Sequence, residues 1–142
     1  WRINTTKQVL ERAKKDNFKL ICSPGEYAYF DYPQAKDDLP NVNWMPTLPL
    51  EKVLLFNPGF NLSKEEEKQY ILGVEATLWG ESVKDLFRAF YMTYPRALAL
   101  AEAGWTEMQE RDPQNFKRKL DFQLRFLLHR GINYRPPVEL YR

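Results

Sequence analysis

A single cysteine, Cys22, stands in 142 residues, so no disulfide can form within the chain, and its neighbours Leu20 and Ile21 mark it as a small buried hydrophobe. No apolar run approaches the ~20 residues that a membrane-crossing helix needs, and no signal peptide is visible at the N-terminus. Charge of one sign is missing too. The chain has 21 Lys and Arg against 19 Asp and Glu, mixed along its length for a net +2, which leaves no footprint for a phosphate backbone or an anionic bilayer. Nucleic acid is therefore disfavoured as a partner. There is no Gly-rich phosphate loop and no Ser-His-Asp arrangement. The lone His129 falls near the end of a helix, where the dipole favours it, with no cluster at ligand spacing beside it, so neither metal nor cofactor is expected.

What is present belongs to an ordinary globular chain, 44% apolar and 28% charged, long enough for one core and too short for two. Residues 1–142 are read as one unit. The first residue is Trp1 rather than Met, with a helix-start signal a few positions on, so the chain is expected to begin inside a longer polypeptide or after processing. Aromatics reach 15% (4 Trp, 8 Tyr, 9 Phe), which suits either a ring-rich core or a surface on which sugars stack.

Thr5-Thr6-Lys7-Gln8 reads as a capping box opening a helix over about Thr6 to Asp16, with Asn17 ending it. Phe18 to Ser23 is a short buried strand bounded by Pro24-Gly25. From Ser23 to Pro49 the chain carries Pro24, Pro33, Pro40, Pro46 and Pro49, which predicts a long loop, and Tyr27, Tyr29, Phe30, Tyr32 and Trp44 argue that it is ordered. Short helices are expected from Pro49 to about Phe56 and after the capping box at Ser63.

Tyr70 to Trp79 predicts a strand. Period 2 places Leu72, Val74, Ala76 and Leu78 on an aliphatic face toward helices, and Ile71, Gly73, Glu75, Thr77 and Trp79 on a face toward a polar interior. Ser82 is expected to cap a helix from Val83 to Tyr94, Pro95 to kink or restart it, and Ala97 to Ala103 to carry it to about Trp105. Asp112-Pro113 opens a last helix striped by Phe116, Leu120, Leu124, Leu127 and Leu128 and closed by Gly131, after which Pro136-Pro137 predicts an extended tail. Helices alternating with strands predict an α/β fold. In a (β/α)8 barrel, Trp79 and Glu81 would stand at the C-terminal rim where active sites are built. Such a barrel takes about 250 residues, so two strands leave partner strands missing, and the open edges favour a homodimer or domain swap.

Three stretches carry a resemblance. Leu72-Gly73-Val74-Glu75-Ala76-Thr77-Leu78-Trp79-Gly80-Glu81 resembles the last barrel strand, with its Trp-x-Glu ending, of the β-N-acetylhexosaminidases of glycoside hydrolase family 20. Tyr94-Pro95-Arg96 through Ala101-Glu102, with Trp105 beyond, is similar to the final barrel helix of that family. Ile21-Cys22-Ser23-Pro24 and Tyr29-Phe30-Asp31-Tyr32 resemble its penultimate strand and Tyr-x-Asp loop. The resemblance implies the C-terminal part of a TIM (β/α)8 barrel, its last two βα units, as a helix-rich fragment. It implies an enzyme removing terminal β-linked N-acetylglucosamine or N-acetylgalactosamine by substrate-assisted retaining catalysis, in which the 2-acetamido group is the nucleophile.

By the same resemblance Tyr29 is the catalytic candidate, donating its phenolic hydrogen to the acetamido oxygen. Asp31 and Glu81 would accept from sugar hydroxyls around the 4- and 6-positions. Trp79 would form an apolar wall, and Trp1 would be the aromatic ending the preceding strand. The Asp-Glu pair of that family has no counterpart, because no Asp-Glu dipeptide occurs in the chain. Glu65-Glu66-Glu67 reads as a helix-start charge run and Asp37-Asp38 as solvated loop. Asn4-Thr5-Thr6 and Asn61-Leu62-Ser63 match the glycosylation pattern but coincide with helix caps. The rival reading is a free-standing carbohydrate-binding or protein-interaction module that uses the aromatic loop as its platform.

Overall fold

The computed structural model describes residues 3–38, 45–60 and 62–141. The expectations placed on Trp1, Pro40, Trp44 and Asn61 lie outside them. Helix α1 (Ile3–Asp16) starts ahead of the Thr6 expected, and buries Leu10 and Ala13. It stops at Asn17, whose φ of 53° is the left-handed conformation that asparagine tolerates better than most residues. Strand β1 (Leu20–Cys22) follows, then a single turn, α2 (Gly25–Ala28). Next come α3 (Leu50–Leu54), α4 (Lys64–Tyr70) and β2 (Ile71–Val74). Three longer helices complete the chain: α5 (Leu86–Thr93), α6 (Arg96–Trp105) and α7 (Pro113–His129).

The two strands are parallel neighbours, with Leu20 opposite Ile71, Ile21 opposite Gly73 and Cys22 opposite Val74. The last bond of this pairing runs from the Glu75 N–H to the Cys22 carbonyl (3.1 Å), after which Pro24, which lacks an N–H, leads β1 into α2 and away from its neighbour. This corrects the strand expected over Tyr70 to Trp79. Contact resumes at a lone parallel bridge between Tyr29 and Thr77, where the Phe30 N–H donates to the Thr77 carbonyl (2.7 Å) and the Thr77 N–H to the Ala28 carbonyl (2.9 Å). Two loops are thereby stitched together just beyond the C-terminal ends of the strands.

Helices cover one side of this pair. The core joins Phe30 and Leu48 from the loop, Leu50, Val53 and Phe56 around α3, Ala99, Leu100 and Ala103 of α6, and Phe116, Leu120, Leu124 and Leu127 of α7. Close approach of α6 to β2 requires Gly104, because a Cβ there would stand 2.9 Å from a Val74 methyl. Val74 and Ala76 pack on this core as the alternation predicts, but Leu72 and Leu78 of the same expected face are exposed, at 63% and 37%. The register shift between Leu20 and Ile21 passes over Leu72 and breaks the alternation there, and Leu78 lies beyond the end of β2.

Helix ends explain the remaining departures. The helix expected from Val83 begins at Leu86, because Asp85 is the cap and accepts from the Arg88 N–H at 2.6 Å. Pro95 restarts rather than kinks the helix: α5 ends at Thr93 and α6 opens at Arg96. At the end of α7, Gly131 adopts φ 67° while its N–H reaches the Leu128 carbonyl and that of Ile132 the Leu127 carbonyl, a Schellman closure. The tail is not fully extended, since Val138–Tyr141 forms a 3-10 turn. The capping box at Ser63 forms as expected, and among the described residues no helix is long and apolar enough to cross a membrane.

Candidate functional site

Past the C-terminal ends of β1 and β2 lies a cleft of about 630 Å3, the place where α/β sheets offer ligands their binding crevice. Four of the five residues singled out from the sequence line it: Tyr29, Asp31, Trp79 and Glu81. Trp1 lies outside the described residues. Tyr29 and Trp79 face each other with ring centroids 6.4 Å apart at 58°, and Tyr32 packs on the other side of Tyr29 at 5.6 Å. Trp79 is 47% exposed, so an indole face remains open to a ligand. Glu81 stands on the exposed 3-10 turn Gly80–Ser82.

Asp31 has a different environment. Its side chain is buried, at 4% exposure, and one carboxylate oxygen, Oδ1, has no hydrogen-bond partner. Burial pushes its carboxyl above the usual aspartate range, and the nearby Glu81 charge adds to that. Its own backbone N–H, that of Trp79 and the Arg96 cation pull the other way. A buried carboxylate with an unfilled lone pair beside an open cleft can accept a hydrogen bond from a hydroxyl-bearing ligand.

Sequence reasoning missed further residues. Glu26, Lys52, Pro46, Thr47 and Leu48 complete the cleft wall; Lys52 comes from α3, far along the chain from either motif. Arg96 is fully buried beneath the site. Its guanidinium donates to the carbonyls of Phe30 (2.6 Å), Tyr32 (2.8 Å), Leu48 (3.2 Å) and Met92 (3.1 Å from Nε), and lies over the Phe30 ring. Burial lowers its pKa to about 9, while Asp38 and Asp31 act to hold it charged. One signal was available: Arg96, Ala99, Leu100 and Ala103 fall at i, i+3, i+4 and i+7, which puts the cation on the apolar face of α6.

Asp38 corrects the expectation of a solvated acidic pair. It is buried and accepts from the backbone N–H groups of Gln34 (2.7 Å) and Ala35 (3.3 Å) and from the Tyr91 hydroxyl (2.9 Å), with Arg135 3.7 Å away. Burial and this contact push the Tyr91 phenol up to about 12. Its burial is not foretold locally, because the side chains that close on it, Tyr91 and Arg135, come from α5 and from beyond α7. Cys22 is half-buried rather than fully buried and donates to the Pro58 carbonyl at 3.7 Å, with its thiol raised to about 11 by burial. Among the described residues no group of three or more His, Cys, Asp and Glu side chains is placed to hold a metal ion.

Parallel strands backed by helices, with an aromatic and carboxylate-lined cleft at their C-terminal ends, define an α/β domain fragment suited to a small polar ligand. Residues 1–108 match the family described as glycosyl hydrolase family 20, catalytic domain. The chain is 41% identical over 134 residues to a β-hexosaminidase of Akkermansia muciniphila, covering 94% of this chain and 27% of that protein. Its structure superposes on that of a β-N-acetylhexosaminidase with a TM-score of 0.82 at 40% identity, covering 92% of this chain and 27% of the other. It also superposes on a GH20 exo β-N-acetylglucosaminidase of Vibrio harveyi, solved in complex with N-acetylglucosamine, with a TM-score of 0.81 at 34% identity, covering 92% and 21%. The chain belongs to glycosyl hydrolase family 20. That catalytic domain is a TIM barrel, and the chain spans 27% of the length of the Akkermansia relative.

Proposed function

We propose that residues 1–142 form one unit, the last two βα units at the C-terminal side of a β-N-acetylhexosaminidase barrel, and supply one wall of its sugar pocket. The observation that carries this reading is convergence: Tyr29 and Asp31 follow one strand, Trp79 and Glu81 follow its parallel neighbour, and all four meet at one cleft. Substrates are terminal β-linked N-acetylglucosamine or N-acetylgalactosamine residues, the class named for the relatives.

In this reading Tyr29 donates its phenolic hydrogen to the acetamido oxygen of the substrate, holding the carbonyl in near-attack geometry at the anomeric carbon. The acetamido group then displaces the leaving oxygen as internal nucleophile, giving an oxazolinium ion that water opens with net retention. Asp31, with its unfilled Oδ1, and Glu81 accept from sugar hydroxyls, and the open face of Trp79 stacks on apolar ring surface. The acid that protonates the leaving oxygen, and its neighbouring aspartate, come from the remainder of the barrel.

The test compares the chain alone with the intact parent enzyme on a chromogenic N-acetylglucosaminide. The isolated chain should give background rates and the parent should turn over. Turnover by the isolated chain would overturn the assignment of the acid/base pair to other residues. Tight calorimetric binding of N-acetylglucosamine by the isolated chain would instead favour a self-sufficient carbohydrate-binding module.

A further inference from the structure

Arg96 does not reach the cleft, yet it grips the chain on both sides of Asp31. Its donors take the carbonyls of Phe30 and Tyr32, the residues immediately before and after Asp31, and then tie this loop to Leu48 and to Met92 at the end of α5. Among the described residues no carboxylate forms an ion pair with it. A buried guanidinium with no carboxylate in direct contact is a costly way to fill a core that an aliphatic side chain would fill at lower cost, so packing does not explain it. What a guanidinium offers is five N–H donors in a rigid fork, here all directed at main-chain carbonyls of three separate segments.

We propose that Arg96 is a positioning residue for sugar recognition: through the carbonyls that flank Asp31 it holds that carboxylate in the cleft wall with one buried oxygen, Oδ1, left without a partner. The proposal rests on Asp31 being the acceptor for a sugar hydroxyl. A second anchor holds the far end of the same loop, where Asp38 ties Gln34 and Ala35 to Tyr91 of α5 and to Arg135 behind α7. Arg96 thus fixes the loop at Asp31, and Tyr91 fixes it a few residues further on.

The test uses the intact parent enzyme and two kinds of substrate, a chromogenic N-acetylglucosaminide and its 4-deoxy and 6-deoxy analogues. Arg96→Lys keeps the charge but not the fork; it should lower kcat/KM on the parent sugar roughly 10- to 100-fold, yet less than about threefold on the analogue lacking the hydroxyl that Asp31 reads. Arg96→Gln should move the acid limb of the kcat/KM profile to higher pH, because a cation favouring ionised Asp31 is gone. Equal losses on all substrates with an unmoved acid limb would mean a merely structural arginine and would overturn the proposal.

Where the Arg96 variants do not fold, Tyr91→Phe releases the second anchor and should erode the same discrimination by a smaller factor. Unchanged discrimination in that variant would count against positioning by this network. Asp31→Asn separates the two levels of argument. If it leaves the hydroxyl discrimination intact, the reading of Asp31 itself fails; if it abolishes discrimination while Arg96→Lys preserves it, only the positioning proposal fails.

Discussion

The helical side of the molecule and the strand side are finished to different degrees. On the helical side, Val53, Phe56, Ala99 and Leu120 are sealed by other residues of the same chain. On the strand side, Ile21 is 58% exposed and Leu72, which the register shift between Leu20 and Ile21 leaves unpaired, 63%. Aliphatic side chains on consecutive strands normally meet a second layer. The contrast teaches that the helices seal a core of their own, although Phe122 and Leu128 of α7 stay exposed, whereas the strands lack a second layer, and that the cleft lies past the strand ends where the two sides meet.

Stability should divide along the same boundary. Phe56→Ala empties a sealed site and should lower unfolding free energy by about 3–5 kcal/mol in urea denaturation. Leu72→Ala on the open side should change it by no more than about 0.5 kcal/mol in the isolated chain. Comparable losses at the two sites would break the contrast.

At the boundary the largest functional effect is expected from Tyr29→Phe in the parent enzyme. In the proposed reading, loss of the hydrogen bond that holds the acetamido carbonyl in near-attack geometry should lower kcat by about 100-fold with little change in KM. A rise in KM at constant kcat would recast Tyr29 as a simple binding residue.

Cys22 probes which way β1 turns its side chains. Its neighbour Ile21 faces the open side, but the thiol packs toward the helices and its pKa is raised to about 11. Alkylation by iodoacetamide at pH 8 should run roughly 100-fold slower than for an unburied cysteine, since only the thiolate reacts. A rate like that of free cysteine would place the thiol on the open side.

The smallest effect concerns Asp31. Its carboxyl holds its proton more tightly in the folded chain than in the unfolded one. The cost of ionising it is therefore absent below the unfolded aspartate value and grows as pH rises through the folded value. Asp31→Asn should raise the thermal midpoint slightly at pH 7 and leave it unchanged near pH 3. A midpoint lowered equally at both pH values would remove the argument that Asp31 is held against its own solvation for the sake of the ligand.

Legibility followed range. The capping box at Ser63, the Asp112-Pro113 start and Gly131 end of α7, and its apolar stripe apart from the exposed Leu128 were all readable, because each rests on contacts within a few residues. Tyr29, Asp31, Trp79 and Glu81 were legible only as two dipeptide-scale motifs, and their meeting at one cleft depends on parallel pairing across some fifty residues. The strand was overextended because alternation along one segment cannot tell where its neighbour turns away into α2.

By itself, the amino-acid order determined where helices start and stop and which faces are apolar, since these follow from backbone sterics, capping and periodicity, whereas the residues that would meet a sugar were implied by the resemblance to a known family. Only the tertiary structure decided that Asp38 is buried, that Arg96 is spent entirely on main-chain carbonyls, and that one oxygen of Asp31 is buried without a partner. Burial and hydrogen-bond satisfaction are properties of groups brought together from distant parts of the chain, and no local pattern encodes them.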